Sequence, residues 1–222
     1  MRNAVGALLW TISAQDIENR NGKTVLASEA TITFVDFEGT GSVPGFADEP
    51  WQIGLVLLRE GEIVPQSLTS QYLQIGERPF SHYAPGRHAE LRDELGVSPQ
   101  LPALWNTLRH WFDNHAMAAH NIATEKRYLR KAFPMLRLPG WIDTLTLARS
   151  AYPGLRSYAL EDLIKTFDMH AALDSLVPGR DAHDALYDAV ASALLFQKLV
   201  STPPWDGLTL DAIRTVRPAK KG

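Results

Sequence analysis

Thr31–Gly41 reads TITFVDFEGTG. Apart from Asp36, Thr31–Phe37 is β-branched, apolar or aromatic, which predicts a buried strand. Side chains two apart on a strand leave by the same face, so Asp36 and Glu38 point the same way. Two carboxylates on one face at the end of a buried strand repel each other, and burial adds a desolvation cost. A divalent cation relieves both, and Mg²⁺ or Mn²⁺ takes oxygen ligands of this kind. The plain alternative is a strand end that has reached water, with both acids hydrated. Gly39-Thr40-Gly41 favours the first reading, because glycine lets the backbone approach a ligand closely.

Outward from this strand, Gln52–Arg59 predicts a second strand, with a turn at Glu60-Gly61. Ile63–Ile75 predicts a third, weakened at its start by Pro65. Short fourth and fifth strands are expected at Ala116–Ala119 and Gly140–Ile142. Helices are expected over Arg87–Leu95, Leu101–Phe112, Thr124–Phe133 and Thr144–Ala151, then from Ser157 to about Phe167 and over Asp184–Leu199. Asp143 is placed to cap the fourth of these. Strands first, then helices alternating with short strands, predict an α/β domain with a mixed sheet. We expect an N-terminal extension at 1–30, one domain over 31–200 and a tail at 201–222 ending in RPAKKG.

The 222 residues suit one domain with extensions. Hydrophobic content of 45% with 21% charge fits a soluble globular chain. The chain has no cysteine, which excludes disulfides and thiolate metal sites. Any metal must then be held by carboxylates, histidines or water. A net charge of −3 argues against broad electrostatic binding to nucleic acid but leaves room for a local basic patch. Ala4–Ser13 faintly resembles a signal peptide, although a docking helix or strand suits it better, with Asn21-Gly22 as a turn. No run approaches the roughly 18 apolar residues that span a bilayer. A cytoplasmic protein, with no membrane partner, is the expectation.

Two further clusters carry chemistry. His183 and Asp188 flank the start of the last helix, where both can border one cleft; an ordinary helix cap with a solvated acid is the alternative. His120-Asn121 follows the fourth strand, with Glu125 on the next helix. Alone these read as a turn residue pair and a surface acid. Lys126, Arg127, Arg130 and Lys131 form two neighbouring i, i+4 stripes, suited either to phosphates or to water. Phe37, Phe46 and Tyr83 are candidates to stack on bases, or to pack.

Together FVDFEGTG (34–41), HNIATEKRYL (120–129) and HDALYD (183–188) resemble, in order and spacing, the motifs of the DEDDh (DnaQ-like) 3′→5′ exonucleases, the group that includes polymerase proofreading subunits and ribonuclease T. Gln52-Ile53-Gly54, DTLTLAR (143–149) and SYAL (157–160) agree with that family's intervening segments. The resemblance spans about residues 31–200. It implies a ribonuclease-H-like fold, a five-stranded mixed sheet flanked by helices. It implies that Asp36, Glu38, Glu125 and Asp188 hold two divalent cations, Mg²⁺ or Mn²⁺, and that His183 is the general base, with Asp36 and Glu38 at the reacting centre. Gly39, Thr40, His120, Asn121, Lys126 and Arg127 would contact substrate. The implied partners are 3′ ends of single-stranded DNA or RNA, DNA favoured, with a homodimer as an allowed assembly. One departure stands out: the family's second motif reads His-Asn-x-x-Phe-Asp, and Thr124 and Glu125 replace its last two residues. His88 is a candidate for the family's loop histidine. The alternatives are a catalytically silent nucleic-acid-binding adaptor on the same fold and a phosphodiesterase specific for short oligonucleotides.

Overall fold

The computed structural model describes residues 25–88, 90–113 and 115–217. The readings of Ala4–Ser13, of Asn21-Gly22 and of the last five residues lie outside them. The chain runs β1 (Thr31–Gly39), β2 (Pro50–Arg59), β3 (Glu62–Ile63), β4 (Thr69–Tyr72), α1 (Arg92–Val97) and α2 (Trp105–Phe112). It continues through β5 (Ala116–Ala119), α3 (Ala123–Ala132), β6 (Trp141–Asp143), α4 (Thr144–Ala151), α5 (Leu160–Thr166), α6 (His170–Leu176), α7 (Ala185–Val200) and α8 (Leu210–Thr215).

The sheet order is β3-β2-β1-β5-β6, with β4 also on β2. β2 runs antiparallel to β1, while β5 and β6 run parallel to it, so the sheet is mixed. The single third strand expected over Ile63–Ile75 is broken in two. Proline cannot donate to a ladder, and a 3-10 turn at Pro65–Ser67 takes its place. β3 pairs with the end of β2 at Leu58 and Arg59, and β4 pairs with its start at Gln52–Leu55. Five strand positions are therefore filled by six strands. The β2–β3 turn puts Glu60 and Gly61 at φ 49° and 78°, as a tight hairpin of this hand demands.

Alternation along β1 separates two cores. Ile32 and Phe34 face a cluster built on α7, α4, α5 and α6. Val35 and Phe37 face the opposite cluster, with Trp111, Phe112, Tyr128 and Leu129. Asp36 and Glu38 continue the first set, so they emerge on the α7 side where the apolar packing stops. α7 is nearly continuous in apolar residues because it is buried almost all round. The segments flanking 31–200 share this core. Leu26 bridges Thr209, Ala27 is buried, and Ile213 on α8 is 2% exposed. Among the described residues no helix is long and apolar enough to cross a membrane.

Candidate active site

Asp36 and Glu38 sit opposite Gly54 and Gln52 of β2, and a register shift follows at Glu38/Gly39. Gly54 is what lets α7 approach. A Cβ there would lie 2.1 Å from the Ala185 carbonyl oxygen and 2.3 Å from the Leu186 nitrogen. Gln52 clasps the same helix end. Its amide nitrogen donates to Asp184 at 2.9 Å, and its oxygen accepts the Ala185 N–H at 3.3 Å. Asp184 caps α7 by accepting the Leu186 and Tyr187 N–H groups at 3.0 and 3.1 Å. Seating this helix start against β1 brings in Asp188 and His183. The His183 N–H donates to Asp188 Oδ2 at 3.2 Å, and its backbone takes φ 68°. That left-handed conformation is uncommon for a residue with a side chain. Ligand atoms of Glu38, His183 and Asp188 all lie within 4.8 Å of one another, a group able to hold a metal ion.

α3 delivers Glu125 in its first turn, only 3% exposed. Its Oε2 is buried with no hydrogen-bond partner. A buried carboxylate oxygen left unsatisfied is costly, and a cation is the natural remedy. The charges around it say the same. Burial, then Asp188, Glu125, Glu38 and Asp184, holds Asp36 well above the usual carboxylate range. Burial, then Asp188, Asp184 and Glu125, pushes Glu38 up to about 8. Burial, with Asp143 adding to it, lifts Glu125 to about 7. Burial, helped by Asp184, Glu161 and Asp181, lifts Asp188 to about 7. An all-oxygen cluster with one imidazole at its mouth fits hard divalent cations.

The other expected residues divide. A Cβ on Gly39 would come within 2.2 Å of the Tyr128 hydroxyl, so this position takes no side chain. Thr40 is fully buried, and its hydroxyl accepts the Glu49 N–H at 3.0 Å, closing the 40–49 loop. Asn121 takes φ 71° and donates its N–H to Asp143 at 2.9 Å, making the turn into α3. His120 does not face the cleft with a free nitrogen. Nδ1 meets the Thr144 hydroxyl at 3.0 Å and Nε2 meets the Tyr158 carbonyl at 2.8 Å. Burial lowers its pKa, and the ring tethers the segment before α5. Lys126 lies 5.7 Å from the Trp141 ring centroid. Arg127 pairs with Asp48 at 2.6 Å. Phe37 packs edge-on against Tyr128 in the core, whereas Phe46 and Tyr83 are 45% and 82% exposed. His88 stacks on Phe80 at 4.0 Å, which turns its ring to packing. Its loop does reach the site, since a Cβ on Gly86 would lie 2.9 Å from the His183 carbonyl.

Three participants are not evident in the sequence. Asp184 is legible there only as a cap, yet it also adds charge to the cluster. Gln52 stands in a family-like segment that does not disclose its clasp. Asp48 accepts the Tyr128 hydroxyl at 2.6 Å and the Gly41 N–H at 2.8 Å, pinning the loop after β1, and nothing local to it signals this.

A mixed five-position sheet whose central strand ends in paired carboxylates, met by acids from two helices and a histidine, defines a ribonuclease-H-like hydrolytic nuclease. The chain belongs to the exonuclease family typified by ribonuclease T, which matches residues 33–196, and so to the DnaQ-like 3′→5′ exonuclease superfamily. Exodeoxyribonuclease 10 of Escherichia coli K12 is 28% identical over 176 residues, 78% of this chain and 70% of that protein. The PolC-type DNA polymerase III of Bacillus subtilis 168 is 26% identical over 82% of this chain, which spans 12% of the polymerase. A solved structure of Exonuclease X in complex with 5′ overhanging duplex DNA superposes with TM-score 0.62 at 25% identity, covering 83% of this chain and 98% of the other. The nuclease domain of 3′hExo, a DEDDh family member bound to rAMP, gives TM-score 0.63 at 16% identity over 83% and 98% of the two chains, a likeness of fold.

Proposed function

We propose that the protein is a cytoplasmic 3′→5′ exonuclease that removes nucleoside 5′-monophosphates from single-stranded nucleic acid, with DNA preferred to RNA. The observation that carries this reading is the group of Glu38, His183 and Asp188, with ligand atoms within 4.8 Å of one another, beside Asp36 two residues along the strand and a Glu125 whose Oε2 is buried and unpartnered. The preference for DNA leans on the names of two relatives, Exodeoxyribonuclease 10 and Exonuclease X bound to DNA.

In this reading Asp36, Glu38, Glu125 and Asp188 hold two divalent cations, Mg²⁺ or Mn²⁺. When bound, such ions activate water and stabilise the charge on a leaving oxygen. His183, exposed at the mouth and beside Glu38 and Asp188, takes a proton from the attacking water. The water oxygen bonds to phosphorus, the bond from phosphorus to the 3′ oxygen breaks, and that oxygen takes a proton from solvent, so the shortened strand leaves with a 3′ hydroxyl. The backbone at Gly39 and Thr40 seats the terminal nucleotide, on a turn held by Tyr128 and Asp48 packed against Gly39. The Gln52–Asp184 clasp holds His183 in reach.

Substrate profiling tests this. Single- and double-stranded DNA and RNA of one sequence, labelled at the 5′ end, are incubated with Mg²⁺ or Mn²⁺. Stepwise shortening from the 3′ end, fastest on single-stranded DNA, is expected. Internal cleavage, or faster loss of RNA, contradicts the proposal.

A further inference from the structure

Beside the carboxylates the surface changes sign. Arg127 and Lys131, four apart on α3, share one stripe. Arg127 pairs with Asp48 at 2.6 Å, Lys131 pairs with Glu49, and Arg78 reaches the same Glu49 at 3.4 Å. Three cations thus share two anions, a local surplus of one positive charge in a chain whose net charge is −3. The side chains of Arg127 and Lys131 are 50% and 58% exposed. Their charged ends face water even while paired, so a phosphate can approach them alongside Asp48 and Glu49. A cavity of about 390 Å³ opens alongside, lined by Glu49, Gln74, Arg78, Gln100, Tyr128 and Lys131. The Tyr128 hydroxyl is 2.2 Å from where a Cβ of Gly39 would be, so the cavity wall abuts the residue after Glu38.

We infer that Arg78, Arg127 and Lys131 form a track for the sugar-phosphate backbone of the strand whose 3′ end is in the active site. Asp48 and Glu49 hold the cations in place as phosphates approach. The inference rests on the exonuclease reading and adds the path that the uncut strand follows. A phosphodiester backbone is the occupant that suits spaced cations ending at a phosphodiesterase centre, because phosphate contacts position a strand without reading its bases.

The salt dependence of kcat/KM tests it, measured with the full chain on a 5′-labelled oligodeoxynucleotide of a dozen residues. Removing one cation from a phosphate of a single strand lessens the slope of log affinity against log salt by about 0.7. Arg78→Gln and Lys131→Gln should each lessen the slope by about that amount, and Arg78→Lys and Lys131→Arg should restore it. Lys165→Gln, an exposed charge on α5, which packs on the core opposite to that of α3, should leave it unchanged. Unchanged slopes in the first two variants, or an equal reduction in Lys165→Gln, overturn the track. Hydrolysis of the p-nitrophenyl ester of thymidine 5′-monophosphate by the wild type separates the two claims. If that ester is cut while the slopes stay fixed, the track alone fails. If neither ester nor oligonucleotide is cut, the reading of the active site fails and takes the track with it.

Discussion

Gly54 on β2 and Ala185 at the start of α7 approach so closely through their backbones that a methyl group on Gly54 would sit 2.1 Å from the Ala185 carbonyl oxygen. Because Gly54 is paired with Asp36, this approach sets the distance between the strand acids and those of α7. Gly54→Ala should therefore displace His183 and Asp188. Overpacking against backbone costs about 1–3 kcal/mol, and misplacing a reacting group by about 1 Å costs on the order of a hundredfold in rate. Stability in urea and kcat, measured on the same variant, should both fall. A variant with unchanged kcat would show that the Gly54–Ala185 approach does not position the site.

Glu125 departs from the family's aspartate, and its charge is expected to matter more than its length. Glu125→Gln should lower kcat by about a hundredfold, the scale for losing one well-placed electrostatic group. Glu125→Asp should lose far less. With EDTA present at pH 8.5, Glu125→Gln should melt above wild type, because it removes a buried charge from a repelling cluster. Matching activities for Glu125→Gln and wild type would take this residue out of the site.

The same repulsion fixes a pH dependence. Folding raises the pKa values of Glu38 to about 8 and of Glu125 and Asp188 to about 7. Unfolded carboxylates titrate at about 4. Protons are thus bound more tightly in the folded state, so the stability they contribute is fully present below about pH 4. It is lost as pH rises through the folded values of about 7 to 8. In EDTA the thermal midpoint should fall between pH 5.5 and pH 8.5, and Mg²⁺ or Mn²⁺ should recover most of the loss. A midpoint indifferent to metal at pH 8.5 would argue against a metal centre.

Asp48 titrates the other way. Burial alone would raise its pKa, but hydrogen bonds from Arg127 and Tyr128, with the Arg127 charge and the Gly41 N–H, hold it below the usual range. Its contribution is present above the unfolded pKa and is lost as pH falls through the folded one. Asp48→Ala removes charge-assisted bonds and should cost about 2–3 kcal/mol in urea unfolding. It should also raise KM, since the loop after Gly41 loses its anchor. An unchanged KM would confine Asp48 to stability.

What the sequence discloses follows from the range of each physical signal. Period-two alternation puts Asp36 and Glu38 on one face, and that needs only neighbours. The strand break at Pro65 is foreshadowed by its missing N–H, although the strand-like pattern carries on through it. His183 and Asp188 are legible as helix-start residues; their approach to Glu38 depends on Gly54, more than a hundred residues away. The Gln52 clasp on Asp184 and the Asp48–Tyr128 bond join segments far apart in the chain, so no local pattern announces them. His120 shows the opposite case. Its motif points to substrate, while its ring nitrogens are both engaged by Thr144 and Tyr158.

The most direct measurement compares wild type with Asp36→Ala on a 5′-labelled single-stranded oligodeoxynucleotide in Mg²⁺ or Mn²⁺. Wild type should give a ladder shortening from the 3′ end with release of 5′-mononucleotides, and Asp36→Ala should leave the strand intact. Wild type and Asp36→Ala equally inert with every metal and with both DNA and RNA, or equally active, would contradict the proposed activity.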